Sequence, residues 1–136
     1  MFSSLLDIIA ILVITAQAWG LKWYGGINLD CNIIPAGSTD FYIRTYKGHH
    51  LPSPCVPVNG SARGVRCHSD VYDYGVLAST EGCDRELGWG SAEAFGAGCC
   101  RFYNNAQCGG TPFLQISEGG CVSDVVITAF ICSDNC

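Results

Sequence analysis

Ten cysteines, at positions 31, 55, 67, 83, 99, 100, 108, 121, 132 and 136, are the feature that most restricts how this 136-residue chain folds. An even number of thiols in a small domain reads as a framework of bridges, and such bridges persist only outside the reducing cytosol. Cys31, Cys55, Cys67, Cys83, Cys99, Cys100, Cys108, Cys121, Cys132 and Cys136 are therefore all expected in disulfides. Cys99 and Cys100 add a constraint, because neighbours on a strand point to opposite faces and must bond to two different partners. A zinc site is the competing reading. Structural zinc wants paired ligands at short spacing, and the one such cysteine pair, Cys132 and Cys136, sits at the C-terminus without a second to match it. His68 beside Cys67, with Asp70 two residues on, and the His49-His50 dyad do not complete a ligand set, so no metal and no cofactor is expected.

Ahead of the cysteines lies an apolar run, Ile8 to Ile14, that ends in the small-residue site Ala16-Gln17-Ala18. It is shorter than the roughly 20 apolar residues that cross a bilayer, and Asp7 and Thr15 interrupt it on either side. It reads as a signal peptide over residues 1–18, cut after Ala18, although no Lys or Arg precedes it. The mature chain, 19–136, suits a single stapled domain. Its few basic residues are scattered singly from Lys22 to Arg101 in a chain of net charge −5. That pattern gives no footprint for nucleic acid, which takes clustered cations, and no basis for stable membrane insertion after cleavage. Asn59-Gly60-Ser61 is an N-glycosylation acceptor in a polar stretch, which places Asn59 on a surface loop.

No window keeps helical apolar spacing for a dozen residues, and the best helical stretch is one or two turns over Ser91 to Phe95. Strand signals dominate. Phe41 to Tyr46 reads as a strand followed by a Lys47-Gly48 turn, Val65 to Cys67 and Val76 to Ala78 as shorter ones, and Val125 to Cys132 as one central strand. Cys99 to Tyr103 would put Cys100 and Phe102 on one face and Cys99, Arg101 and Tyr103 on the other. The fold class is all-β: a small disulfide-rich Greek-key β-sandwich with little helix.

Phe102 to Gly110, reading FYNNAQCGG, resembles the opening signature of a β/γ-crystallin-type Greek key, and the chain as a whole resembles small secreted cysteine-rich proteins of the fungal type. The resemblance implies a folded hairpin after the aromatic pair and a positive φ at Gly110. Cys108 stands where the family has a second aromatic, so a covalent tether would replace a ring contact. Ile127 to Phe130 resembles the closing strand, with Thr128 supplying the hydroxyl that bonds back to the hairpin. An upstream echo, Phe41-Tyr42 to Gly48, then Cys55 and Cys67, gives two Greek-key halves at about 41–67 and 100–132, with 68–98 as a long connection. Family members often bind calcium ahead of the closing strand. Here Asp124 is followed by Val125, and Ala129 replaces a hydroxyl, too few oxygens for that ion.

Three roles remain open to the sequence. The first is a secreted, non-enzymatic recognition protein, effector-like, that binds a protein or cell-surface target of a host or competitor through loops 47–64 and 68–98. Tyr72, Tyr74 and Trp89 would be its anchors, since Tyr and Trp dominate binding hot spots. The alternative for Trp89 is a place in the core. The second role is an antimicrobial or killer-type toxin or a protease inhibitor on the same scaffold. The third is a small hydrolase using His49, His50 or His68 with Asp70, Asp73, Glu81 or Glu86. No catalytic motif frames these residues, which weighs against an enzyme.

Overall fold

Every second residue of the first strand, Trp19, Leu21 and Trp23, points into the core, and all three are fully buried. This period-two pattern makes β1 (Trp19–Gly25) the middle of a six-stranded sheet in the computed structural model, which describes residues 18–25, 31 and 41–136. The remaining strands are β2 (Phe41–Gly48), β3 (Val56–Pro57), β4 (Val65–Asp73), β5 (Val76–Glu81), β6 (Gly90–Phe95), β7 (Cys99–Tyr103), β8 (Leu114–Ser117), β9 (Cys121–Val125) and β10 (Ala129–Ser133). They form two antiparallel sheets, ordered β5-β4-β2-β1-β6-β9 and β3-β10-β7-β8. No helix occurs among the described residues. The signal-peptide segment before Ala18 lies outside them.

The strand order contains two interlocked Greek keys, β1-β2-β3-β6 and β7-β8-β9-β10, each of which sends its third strand to the edge of the other's sheet. The second key spans 99–133, close to the expected 100–132. The first differs from the expected 41–67: it runs from Trp19 to Phe95, and the β4-β5 hairpin is inserted before its last strand. The structural counterpart of Phe102-Tyr103, at the end of β7, is therefore Trp23-Tyr24 near the end of β1, not Phe41-Tyr42 on a second strand.

Four further expectations are corrected. Ser91 to Phe95 is strand, because Ala92 and Ala94 sit opposite Trp23 and Leu21 on β1 and both are fully buried. Packing of two small residues beneath large ones overrides the local helical preference. Residues 68–98 are not one loop, since β5, β6 and most of β4 lie in them. The apolar run 125–132 is broken, with β9 ending at Val125 and β10 starting at Ala129. Between them the chain exposes Val126 and returns to the core at Ile127, which is 2 % exposed. Lys47-Gly48 likewise continues β2 instead of turning.

The core between the sheets joins Trp19, Leu21, Trp23 and Tyr46 to Cys100, Phe102, Ile116, Phe130 and Cys132. The Phe130 ring meets Tyr46 edge-on with centroids 5.0 Å apart. Glycine makes room for the largest side chains: a Cβ on Gly48 would lie 2.7 Å from the Trp19 ring, and one on Gly90 2.8 Å from the Trp23 ring.

All ten cysteines pair: Cys31–Cys121, Cys55–Cys108, Cys67–Cys83, Cys99–Cys136 and Cys100–Cys132. Cys99 and Cys100 do take different partners. Cys100–Cys132 joins directly opposed residues of β7 and β10 inside the core. Cys55–Cys108 pins the β7-β8 hairpin to the chain entering β3, the tether expected of Cys108. Gly110 has φ 76°, as the hairpin requires. Thr128 ties to the hairpin strand through its backbone rather than its hydroxyl, its N–H donating to Tyr103 O at 3.3 Å while its carbonyl accepts from Val58 N–H at 3.0 Å.

Candidate functional site: the apolar end of the sandwich

Strands β1, β4, β7 and β9 finish, and β2, β5, β6, β8 and β10 start, at the same end of the molecule. The large apolar side chains left exposed among the described residues are Tyr74, Val76, Leu77, Trp89, Phe113 and Val126. All six lie at that end: Tyr74, Val76 and Leu77 at the β4-β5 turn, Trp89 just before β6, Phe113 just before β8 and Val126 just after β9. Scattered exposed hydrophobics are ordinary, and their collection at one end of a small domain makes that end the candidate site.

Two local features shape how these side chains are presented. The β4-β5 hairpin closes on Tyr74 and Gly75, both at positive φ (49° and 80°), which is the two-residue turn that suits strand twist. Gly75 accepts that conformation freely, whereas Tyr74 carries a bulky side chain in a region L residues avoid. The turn therefore places an aromatic that is 68 % exposed where Asn or Gly would sit with less strain. Trp89 is also 68 % exposed, so it does not fill the core. The chain leading to it is tied down by Arg44, which is fully buried on β2. The Arg44 guanidinium donates to Ser69 Oγ at 2.9 Å, Val58 O at 2.6 Å and Arg85 O at 2.7 Å. The last of these pins the segment between β5 and β6 to the core four residues before Trp89. Tyr72 differs from the other two expected anchors: it is half-buried and stacked on Phe41, with centroids 4.8 Å apart, on the outer face of the sheet.

Asn59 is exposed in the turn after β3, on the same end. It stands on the rim of a cleft of about 340 Å³ floored by Tyr46 and Val56 and walled by Val65 and the Cys67–Cys83 bridge. The Tyr46 hydroxyl donates to Val58 O at 2.6 Å, and burial pushes its pKa up to about 12, partly offset by the neighbouring Arg44 charge. Burial, reinforced by its hydrogen bond to Glu93, also holds the Tyr24 hydroxyl well above the usual range.

The residues considered for hydrolysis are dispersed. His49 and His50 are exposed after β2, Asp73 is at the hairpin tip, and Glu81 pairs with Arg85 at 3.2 Å. His68 does lie 3.6 Å from Asp70, and Thr80 Oγ donates to the same carboxylate at 2.8 Å. In that trio the carboxylate stands between hydroxyl and imidazole, whereas a nucleophile relay needs the imidazole in the middle. Among the described residues no group of three His, Cys, Asp or Glu is placed to hold a metal ion. Asp124 is exposed on β9 at φ 54°.

Sequence reasoning missed Val76, Leu77, Phe113 and Val126 as members of this end. Each lies beside a turn, and only the strand order brings them together. No family model matches the chain, and no curated protein or solved structure matches it.

Proposed function

We propose that the chain is a secreted, non-enzymatic recognition protein whose apolar end binds a protein or cell-surface target of a host or competitor. The gathering at one end of all six large hydrophobics exposed among the described residues carries this reading. The strained presentation of Tyr74 supports it, because a bulky residue at positive φ costs stability that an Asn would not. Five disulfides fit the oxidising compartment that such a role requires, and the signal peptide over 1–18 belongs to the same proposal. The strand-swapped Greek keys and the Phe102 to Gly110 hairpin support kinship with β/γ-crystallin-type domains, with the β4-β5 hairpin as an added recognition element.

The test compares the oxidised protein with a Tyr74→Asn, Trp89→Ser variant, each immobilised and exposed to surface fractions of candidate target cells. The double variant should keep its near-ultraviolet dichroism and lose its partner by about tenfold or more, the scale of a lost aromatic anchor. Equal retention of the same proteins by both forms would defeat the reading. Growth inhibition that survives in the double variant would favour the toxin role.

A further inference from the structure

The seven basic residues look scattered in the sequence, yet the β2-β4 ladder sets Lys47 directly opposite Arg66. Like charges facing each other across an antiparallel pair are unfavourable. Most of the other cations have a partner or a purpose. Arg44 is buried in hydrogen bonds, Arg85 pairs with Glu81, Arg101 Nε donates to Gln115 at 2.9 Å, and Lys22 lies 5.7 Å over the Phe95 ring. The side chains of Lys47 and Arg66 make no ion pair or hydrogen bond with any described residue. Both are exposed, and with His68 they line one depression of about 230 Å³ on the outer face of the six-stranded sheet. The depression lies toward the end where β2 finishes and β4 begins, opposite the apolar end. Asp70, on the same face of β4, has its two oxygens engaged by His68 and Thr80.

We propose that Lys47, Arg66 and His68 form an anion-binding site for a compact dianion of the phosphate-monoester class. A planar guanidinium offers a fork of donors and the lysine a mobile point charge, while His68, held against Asp70, walls the depression. Together they suit a group with several acceptor oxygens and about −1.5 to −2 of charge better than a carboxylate with one charge. Such an occupant also neutralises the opposed Lys47 and Arg66 charges, which no described residue pairs with. The phosphate is carried either by a soluble ester or by a lipid headgroup, and this surface is separate from the proposed recognition end.

The experiment titrates isotope-labelled, oxidised protein with inorganic phosphate, against sodium chloride at matched ionic strength, and follows backbone amide shifts by NMR. Shifts confined to the surroundings of 47, 66 and 68 should saturate with phosphate and not with chloride. The Lys47→Gln, Arg66→Gln variant should bind about tenfold more weakly or worse. A second variant, Arg66→Glu, creates an opposite-charge pair with Lys47. It should melt higher than the native protein at low salt and lose the rise in melting temperature that phosphate gives the native protein. Shifts that track ionic strength alike for both salts would overturn the site, as would an unchanged affinity in the double variant. Co-sedimentation with phosphatidylcholine vesicles containing phosphatidic acid, and not with phosphatidylcholine alone, assigns the phosphate to a lipid; a positive titration without co-sedimentation assigns it to a soluble ester.

Discussion

Replacing the Cys100–Cys132 bridge by alanines should cost more than replacing Cys67–Cys83, and the structure says why. The two bridges span 32 and 16 residues. In the chain-entropy model these separations correspond to about 3.7 and about 3.1 kcal/mol, a difference too small to separate the variants. Burial separates them. Both sulfurs of Cys100–Cys132 lie in the core with Phe102 and Phe130, whereas Cys67 and Cys83 are only half-buried beside the cleft. Each sulfur lost from the packed core leaves an unfilled space worth about 1 kcal/mol. The Cys100→Ala, Cys132→Ala variant should then lose about 5 to 6 kcal/mol and the Cys67→Ala, Cys83→Ala variant about 3, against a total of about 5 to 15 for a domain of this kind. Guanidinium unfolding followed by tryptophan fluorescence reads this directly, because Trp19 and Trp23 are fully buried. Equal losses, or a larger loss for Cys67–Cys83, would refute the view that the inner bridge substitutes for core contacts.

Further outcomes follow from single contacts. Gly48→Ala should cost about 1 to 3 kcal/mol by overpacking, since its Cβ would lie 2.7 Å from the buried Trp19 ring, and thermal unfolding would show it. Arg44→Met removes three hydrogen bonds, two of them fully buried, and leaves Val58 O and Arg85 O without this donor. It should cost about 3 kcal/mol and speed amide exchange over residues 84–89. Stability should hold steady up to about pH 10, the ordinary tyrosine pKa, and then decline. Between there and the Tyr46 value of about 12, the unfolded chain gives up a proton that the folded protein keeps, so rising pH favours unfolding. Denaturant midpoints measured across that range should fall in the native protein and fall less in a Tyr24→Phe, Tyr46→Phe variant.

The sequence carried the strand content and the opposite-facing Cys99 and Cys100, because both rest on local rules about residue type and strand geometry. It also carried the Gly110 conformation, through a resemblance to a known hairpin. It hid β1 even though Trp19, Leu21 and Trp23 alternate cleanly, because this strand begins right after the expected cleavage site. It misled at Ser91 to Phe95, where two alanines that favour a helix locally are the small partners that β1's large residues need. Tyr74 and Trp89 are legible as aromatics on a loop. Their company at one end, like the meeting of Lys47 and Arg66, depends on strand order and register, which no local pattern encodes.

The claim that the apolar end is the recognition face is tested most directly by site-specific photocrosslinking on target cells. A photoreactive residue replaces Trp89 in one preparation and Ser117, exposed at the opposite end of β8, in another. A discrete adduct from position 89 and none from position 117 is the predicted result. An adduct from 117 alone, or equally from both, would contradict it.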